Sequence, residues 1–276
     1  MNTDALIGNI AVNIYETRAL MGIAAATAVA STVRHLLAQK AEVNIVFAAA
    51  PSQNEFLAAL VREDIDWERI NAFHMDEYIG LENGSEATFS RYLKTHLFNH
   101  VRCKAVHFIQ GDADNAQVEC NRYAGLLQQY PIDIVCMGIG ENNHIAFNDP
   151  HVADFNDTEV VKTVALDTEC RQQQVNDGCF PSLAAVPTHA ITLTVHALLH
   201  CKYIFCTVPG ERKANAVYHT LHSPVGEQYP STALRTHRAV QMFLDKDSAG
   251  EIVKGAIPAR TRHWGGVNRE SAIVKR

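Results

Sequence analysis

The stretch "PIDIVCMGIGENNHIAFNDP", residues 131–150, decides the fold. Its first part is a short apolar run bounded by a proline and a glycine, which reads as a strand buried on both faces. Its second part turns at once into polar chemistry, with Glu141, Asn142, Asn143, His144, Asn148 and Asp149 crowding the segment that follows. Working outward, similar apolar runs recur at 43–48, 70–75, 105–110, 160–166, 190–195, 203–208 and 239–244. Helical patterns lie between many of them, at 16–39, 53–62, 86–98, 115–129 and 211–221. Strand and helix in alternation predict an α/β fold: a doubly wound, mostly parallel sheet with helices on both faces. In such a sheet ligands settle beyond the carboxyl ends of the strands, so polar residues just after strands matter most.

The chain has 276 residues, 47% of them apolar, enough to bury a sizeable core. We expect one α/β domain over 1–249 and a basic tail over 250–276, where Lys254, Arg260, Arg262, Arg269, Lys275 and Arg276 stand in a segment without a sustained apolar period. The net charge of −6 argues against nucleic acid or an anionic membrane as partner, and leaves room for a local basic pocket that takes a small anion. Seven cysteines with no CxxC pair do not make a disulfide framework. With no signal peptide in view, this points to the reducing cytoplasm. The segment "ALMGIAAATAVASTV", residues 19–33, is short for a bilayer span and reads as an alanine-rich buried helix.

Four strand ends carry unusual chemistry. In "FAAAPSQNEF" (47–56), Ser52 stands three residues before Glu55, a capping-box spacing; the helix it opens either is simply capped or turns its amides toward a phosphate. In "NAFHMDEYIGL" (71–81), Asp76 and Glu77 leave a strand together, so one faces a pocket while the other caps, pairs or meets solvent. A pocket-facing Asp76 suits a general base; two acids here also suit an ordinary helix start. In the opening stretch, Gly138 and Gly140 begin a G-x-G-x-x-G pattern that Asn143 breaks, which argues against a dinucleotide site. His144, Asp149 and His74 lack compact metal-ligand spacing, so we expect no metal and no cofactor. A histidine flanked by Glu141 and Asp149 suits proton transfer, or satisfies loop carbonyls. In "VPGERKANAV" (208–217), Arg212 and Lys213 sit in the first turn of a helix, where cations oppose the dipole unless an anion joins them.

The segments "FHMDEYIGL", "GIGENNHIAFNDP" and "GERKANAV" resemble those of glucosamine-6-phosphate deaminases, within the superfamily that also holds 6-phosphogluconolactonases. The resemblance runs from about residue 43 to 245, and "HIAFNDP" is its most specific part. It implies a reaction on a 2-amino-2-deoxyhexose 6-phosphate that yields a ketose 6-phosphate and ammonia. It also implies roles: Asp76 as the base between C2 and C1, His144 as the ring-opening group, Asp149 as its supporting carboxylate, and Lys213 as a phosphate ligand. The phosphate loop falls on Ala49, Ala50, Ser52 and Gln53, and Arg171 in "CRQQQVNDG" is the candidate second cation.

The departures matter. Asn142 occupies the place of an aspartate, the acid being displaced to Glu141, and Asp149 replaces a longer glutamate. Asn143 replaces a glycine, a change that a left-handed backbone tolerates. The resemblance favours a sugar-phosphate isomerase/deaminase with a small-molecule partner and leaves room for a homo-oligomer. The competing readings are a 6-phosphogluconolactonase-like hydrolase, with His144 activating water, and a non-catalytic sugar-phosphate sensor.

Overall fold

The computed structural model describes residues 3–82 and 84–254. Its strands are β1 (Thr3–Ile7), β2 (Ile10–Tyr15), β3 (Val43–Phe47), β4 (Ile70–His74), β5 (Asp76–Tyr78), β6 (Ala105–His107), β7 (Ile134–Met137), β8 (Val161–Ala165), β9 (His189–Leu193), β10 (Tyr203–Val208) and β11 (Val240–Asp245). Its α-helices are α1 (Arg18–Leu37), α2 (Asn54–Leu60), α3 (Phe89–Leu93), α4 (Ala116–Gln129), α5 (Thr168–Asn176), α6 (Val195–Leu199), α7 (Ala214–His222) and α8 (Gly250–Lys254).

Eight strands form the main sheet in the order β1-β2-β11-β10-β7-β3-β4-β6. All its pairings are parallel except the β1–β2 hairpin at one edge. Alternate side chains of β3 enter opposite cores. Val43, Ile45 and Phe47 join the cluster built by α1, α2 and α3, whereas Val46 joins the cluster built by α4, α6 and α7. Helices therefore cover both faces, and the expected doubly wound α/β fold is present. The winding reverses between β7 and β3, the topological switch point at which such sheets bind ligands.

Helix α1 is apolar enough to pass for a membrane span by length and composition, but half of that stretch is buried inside the protein. Its Met21, Ala25, Val29 and Val33 form one i, i+4 row, with Gly22, Ala26 and Ala30 beside it. Small residues let α1 lie close to α2: a Cβ on Gly22 would come within 2.6 Å of the Glu55 backbone carbon. Arg18 closes the same junction with a 2.9 Å ion pair to Glu55.

The sheet differs from expectation in one respect. The runs at 160–166 and 190–195 do not enter the parallel sheet; β8 and β9 pair antiparallel with each other, and β5 joins β9, making a separate three-stranded sheet. The reason is visible in β8, where exposed and buried residues mix around Lys162 and Thr163 instead of being buried throughout. The 250–276 tail lies outside the described residues apart from 250–254, which form α8. All seven cysteines are free thiols.

Candidate active site

Four neighbouring strands deliver the site. Beyond the ends of β3, β4, β7 and β10 lies an open pocket lined by Ala49, Ser52, Asp76, His144, Gln174 and Lys213 among others.

The loop after β7 is shaped by backbone geometry that only some residues accept. Asn143 has φ +67° and Ala146 φ +50°. Asparagine tolerates the left-handed region, and here its amide also donates to Ala216 O at 2.7 Å, Ser231 Oγ at 2.8 Å and Thr220 Oγ1 at 3.2 Å. The glycine-to-asparagine departure thus ties the loop to α7. On the other side, Phe147 N donates to Thr192 Oγ1 and Asn148 Nδ2 donates to Leu193 O, which strap the loop to β9.

His144 is held from one side. Its Nδ1 lies 2.7 Å from Asn142 Oδ1 and 3.1 Å from Asp149 Oδ1. Both are acceptors, so in the neutral ring Nδ1 is the nitrogen that carries the proton and Nε2 the one with the lone pair. Burial would raise the Asp149 pKa, but His144, the Asn142 amide and the Asp167 N–H outweigh it and hold Asp149 down at about 2. Asp149 is therefore a permanent anion behind the imidazole. The ring lies against Gly140: a Cβ there would fall 2.2 to 2.4 Å from three imidazole atoms.

The adjacent acids divide their labour. Glu77 accepts backbone N–H groups from Tyr78, Phe89 and Ser90, and so caps α3. The Asp76 carboxylate lines the pocket with no hydrogen-bonding partner among the described residues, and aromatic side chains wall it in: Tyr78 packs within 4.8 Å of Phe89 and 5.2 Å of Phe147 between ring centres. Desolvation first, and the Glu77 charge second, push the Asp76 pKa well above the ordinary aspartate value. Lys213, buried at the start of α7, has its pKa lowered by desolvation, with Glu141 and Asp177 partly opposing. A carboxylate that resists ionisation and a desolvated ammonium open on one pocket, the pairing expected of a site built for proton transfer on an anionic substrate.

Several expected residues sit elsewhere. Arg171 is not in the pocket: its guanidinium donates to Leu183 O at 2.7 Å and Val186 O at 2.9 Å, bracing the 183–186 turn. Glu141 faces Arg212 at 3.7 Å rather than His144, and its N–H donates to the Gln173 side chain. Ser52 does not cap a helix; Ala50 precedes the 3₁₀ turn Pro51–Gln53, and Glu55 pairs with Arg18 instead. Gln53 lines the pocket but its amide is tied to Thr207 and Ser52. Ser52 Oγ accepts from Gln53 Nε2, which leaves the Ser52 hydroxyl proton available to a ligand.

The structure also brings in residues that sequence reasoning missed. Gln173 and Gln174 of α5 enter the pocket wall, and Asp167 caps α5 while accepting from Asn142. The run "LDTEC" carries an N-cap signature that could have revealed the helix. Cys170 lies beside His144 and Asp149, their ligand-type atoms within 4.8 Å of one another, as are those of Asp149, His151 and Asp167. Burial raises the Cys170 thiol well above its usual range, so it is a neutral neighbour.

A family model described as glucosamine-6-phosphate isomerases/6-phosphogluconolactonase matches residues 16–243. The chain belongs to this family. Among its relatives, a protein from an Exiguobacterium species named glucosamine-6-phosphate deaminase is 35% identical over 193 residues, 70% of this chain and 74% of that protein. One of the same name from Listeria innocua is 34% identical over 209 residues, 75% and 87% of the two chains. Among solved structures, a monomeric glucosamine-6-phosphate deaminase superposes with TM-score 0.79 at 28% identity, covering 87% of this chain and 98% of the other. A 6-phosphogluconolactonase from Shewanella baltica gives 0.71 at 17% identity over 87% and 98%, a likeness of fold alone. Within the glucosamine-6-phosphate isomerase/6-phosphogluconolactonase family, this chain combines Asn142 and Asp149 in the histidine loop.

Proposed function

We propose that the protein is a cytoplasmic isomerising deaminase that converts a 2-amino-2-deoxyhexose 6-phosphate, with glucosamine 6-phosphate as first candidate, to a ketose 6-phosphate and ammonia. The observation that carries this reading is Asp76, desolvated and unpartnered, opening on the same pocket as His144 and Lys213. Lys213, the Ser52 hydroxyl and the backbone at Ala49 and Ala50 receive the phosphate. The bare Nε2 of His144 takes the proton of the C1 hydroxyl and returns it to the ring oxygen, opening the ring. Asp76 then removes the proton from C2 and delivers it to C1, while a proton passes from the amino nitrogen to O1, so that C1 becomes a CH2OH group and C2 an imine. Water adds to that imine, ammonia leaves, and the ketone remains.

Neither competing reading accounts for the site as well. A lactonase needs a base for water but gives no use to a desolvated carboxylate at Asp76. A sensor gives no use to a proton-ready imidazole. The test is ammonia release, by a coupled assay, from glucosamine 6-phosphate and its galacto isomer, beside hydrolysis of 6-phosphogluconolactone. Ammonia from either amino sugar supports the proposal; lactone hydrolysis alone, or tight binding without product, overturns it.

Two substitutions separate the cations. Lys213→Met raises KM for the phosphosugar by about one to two orders of magnitude, the value of a charge-assisted contact. It also raises the melting temperature without ligand at neutral pH. A lysine whose folded pKa is depressed imposes its penalty as pH falls through that value, and methionine removes it. Arg171→Ala leaves KM within about twofold but destabilises by roughly 1–3 kcal/mol, because two carbonyls lose their donor. Steady-state kinetics and thermal melts read both.

A further inference from the structure

We infer that Asp167 is a positioning residue for His144, acting through the Asn142 amide and supplying the second negative charge that the neutral residue at 142 cannot. This rests on the proposed role of His144. The contacts run in one sense. Asp167 Oδ2 accepts from Asn142 Nδ2 at 3.1 Å, and the same nitrogen donates to Asp149 Oδ1 at 3.0 Å. Two acceptor-only carboxylates therefore fix the NH2 end of Asn142, and its oxygen turns the other way. That oxygen accepts the His144 backbone N–H at 3.1 Å and the imidazole Nδ1 at 2.7 Å.

The arrangement explains why an amide serves where a carboxylate is expected. Asp149 and Asp167 already flank the position, and a third acid between them would face two like charges without a proton to share. Asn142 joins the two anions instead. The second carboxylate is displaced one residue outward, onto the N-cap of α5, where Asp167 Oδ1 also accepts from Cys170 N at 2.6 Å. One side chain thus fixes both the imidazole and the helix that carries Gln173 and Gln174 into the pocket. The other titratable groups around the network are Cys170, a neutral thiol, and His151, whose Nδ1 lies 4.0 Å from Asp167 Oδ2. Asp76 and Lys213 line the same pocket as His144.

The test titrates His144 by NMR in histidine-labelled protein without substrate, its signal assigned through His144→Gln. Asp167→Asn lowers the His144 titration by about half a unit or more, since a negative charge that favours the imidazolium is lost. Asp167→Ser keeps a helix cap and produces the same shift, so failure of one variant to fold does not remove the test. The double variant Asp167→Asn with Asn142→Asp restores the titration by moving the charge inward. In kinetics, Asp167→Asn lowers kcat about tenfold and moves its pH profile, with KM within about twofold. A folded Asp167→Asn or Asp167→Ser variant that titrates His144 at the wild-type pH overturns the inference, as does a double variant no closer to wild type than the single. Because the NMR titration needs no turnover, it stands or falls separately from the deaminase reading.

Discussion

Asp76→Asn abolishes measurable deamination, a loss of about 10²–10⁴-fold in kcat, and at the same time makes the protein more stable at neutral pH. The two effects share one cause. Asp76 sits among Met75, Phe89 and Phe147, with no hydrogen-bond donor to offset its desolvation and with Glu77 adjacent. Its folded pKa therefore stands well above the unfolded value of 3.8. A group whose pKa is raised on folding favours the native state fully below the unfolded pKa, and that contribution is lost as pH rises through the folded pKa. Asparagine has the same shape and no charge, so its stabilising effect appears on the alkaline side of that window and vanishes below about pH 4. Activity follows the opposite sign. Only the ionised carboxylate takes the C2 proton, so kcat/KM rises with pH through the raised Asp76 value, above the range of an ordinary aspartate. Thermal melts and a kcat/KM profile read both; a variant that loses activity and stability together would mean that Asp76 is structural.

The second large effect comes from a residue that touches no substrate. Gly140→Ala places a methyl group where the His144 ring now lies, at 2.2 Å from Cε1 and 2.3 Å from Nδ1. Backbone and methyl cannot yield, so the imidazole leaves its contacts with Asn142 and Asp149. Displacement of a catalytic group by about 1 Å costs on the order of 10²-fold, and His144→Ala costs as much or more. Both losses fall on kcat, with KM little changed because the phosphate ligands are untouched. A Gly140→Ala enzyme of wild-type activity would show that His144 need not lie where the structure places it.

Much of this was legible in the chain, for identifiable reasons. Strands β4, β7 and β10 are continuous apolar runs, so their ends, and with them Asp76, His144, Asp149 and Lys213, could be located from sequence. The β1–β2 hairpin was not foreseen, although Gly8 and Asn9 separate two apolar runs as a tight turn would, and Gly8 has φ +59°. The second sheet escaped because β5 is only three residues long, two of them acidic, while the runs that hold β8 and β9 have the apolar content of a parallel strand. Arg171 misled for a different reason. A cation near a pocket satisfies a phosphate and a pair of carbonyls equally well, and only the fold shows the turn at 183–186 beneath it. Asp167 and Gln174 were missed because α5 has no apolar face, and only the N-cap signature at Asp167 marks where the helix starts.

The central claim is that one carboxylate and one imidazole, meeting on a phosphate-binding pocket, break the C2–H bond of an amino-sugar phosphate. Glucosamine 6-phosphate deuterated at C2, followed by NMR alongside ammonia release, tests it most directly. We expect the label to leave C2 in step with ammonia and to divide between C1 of the ketose product and water, and Asp76→Asn to stop both. Substrate recovered with its label still at C2, under conditions in which the protein is folded and binds the phosphosugar, would contradict it.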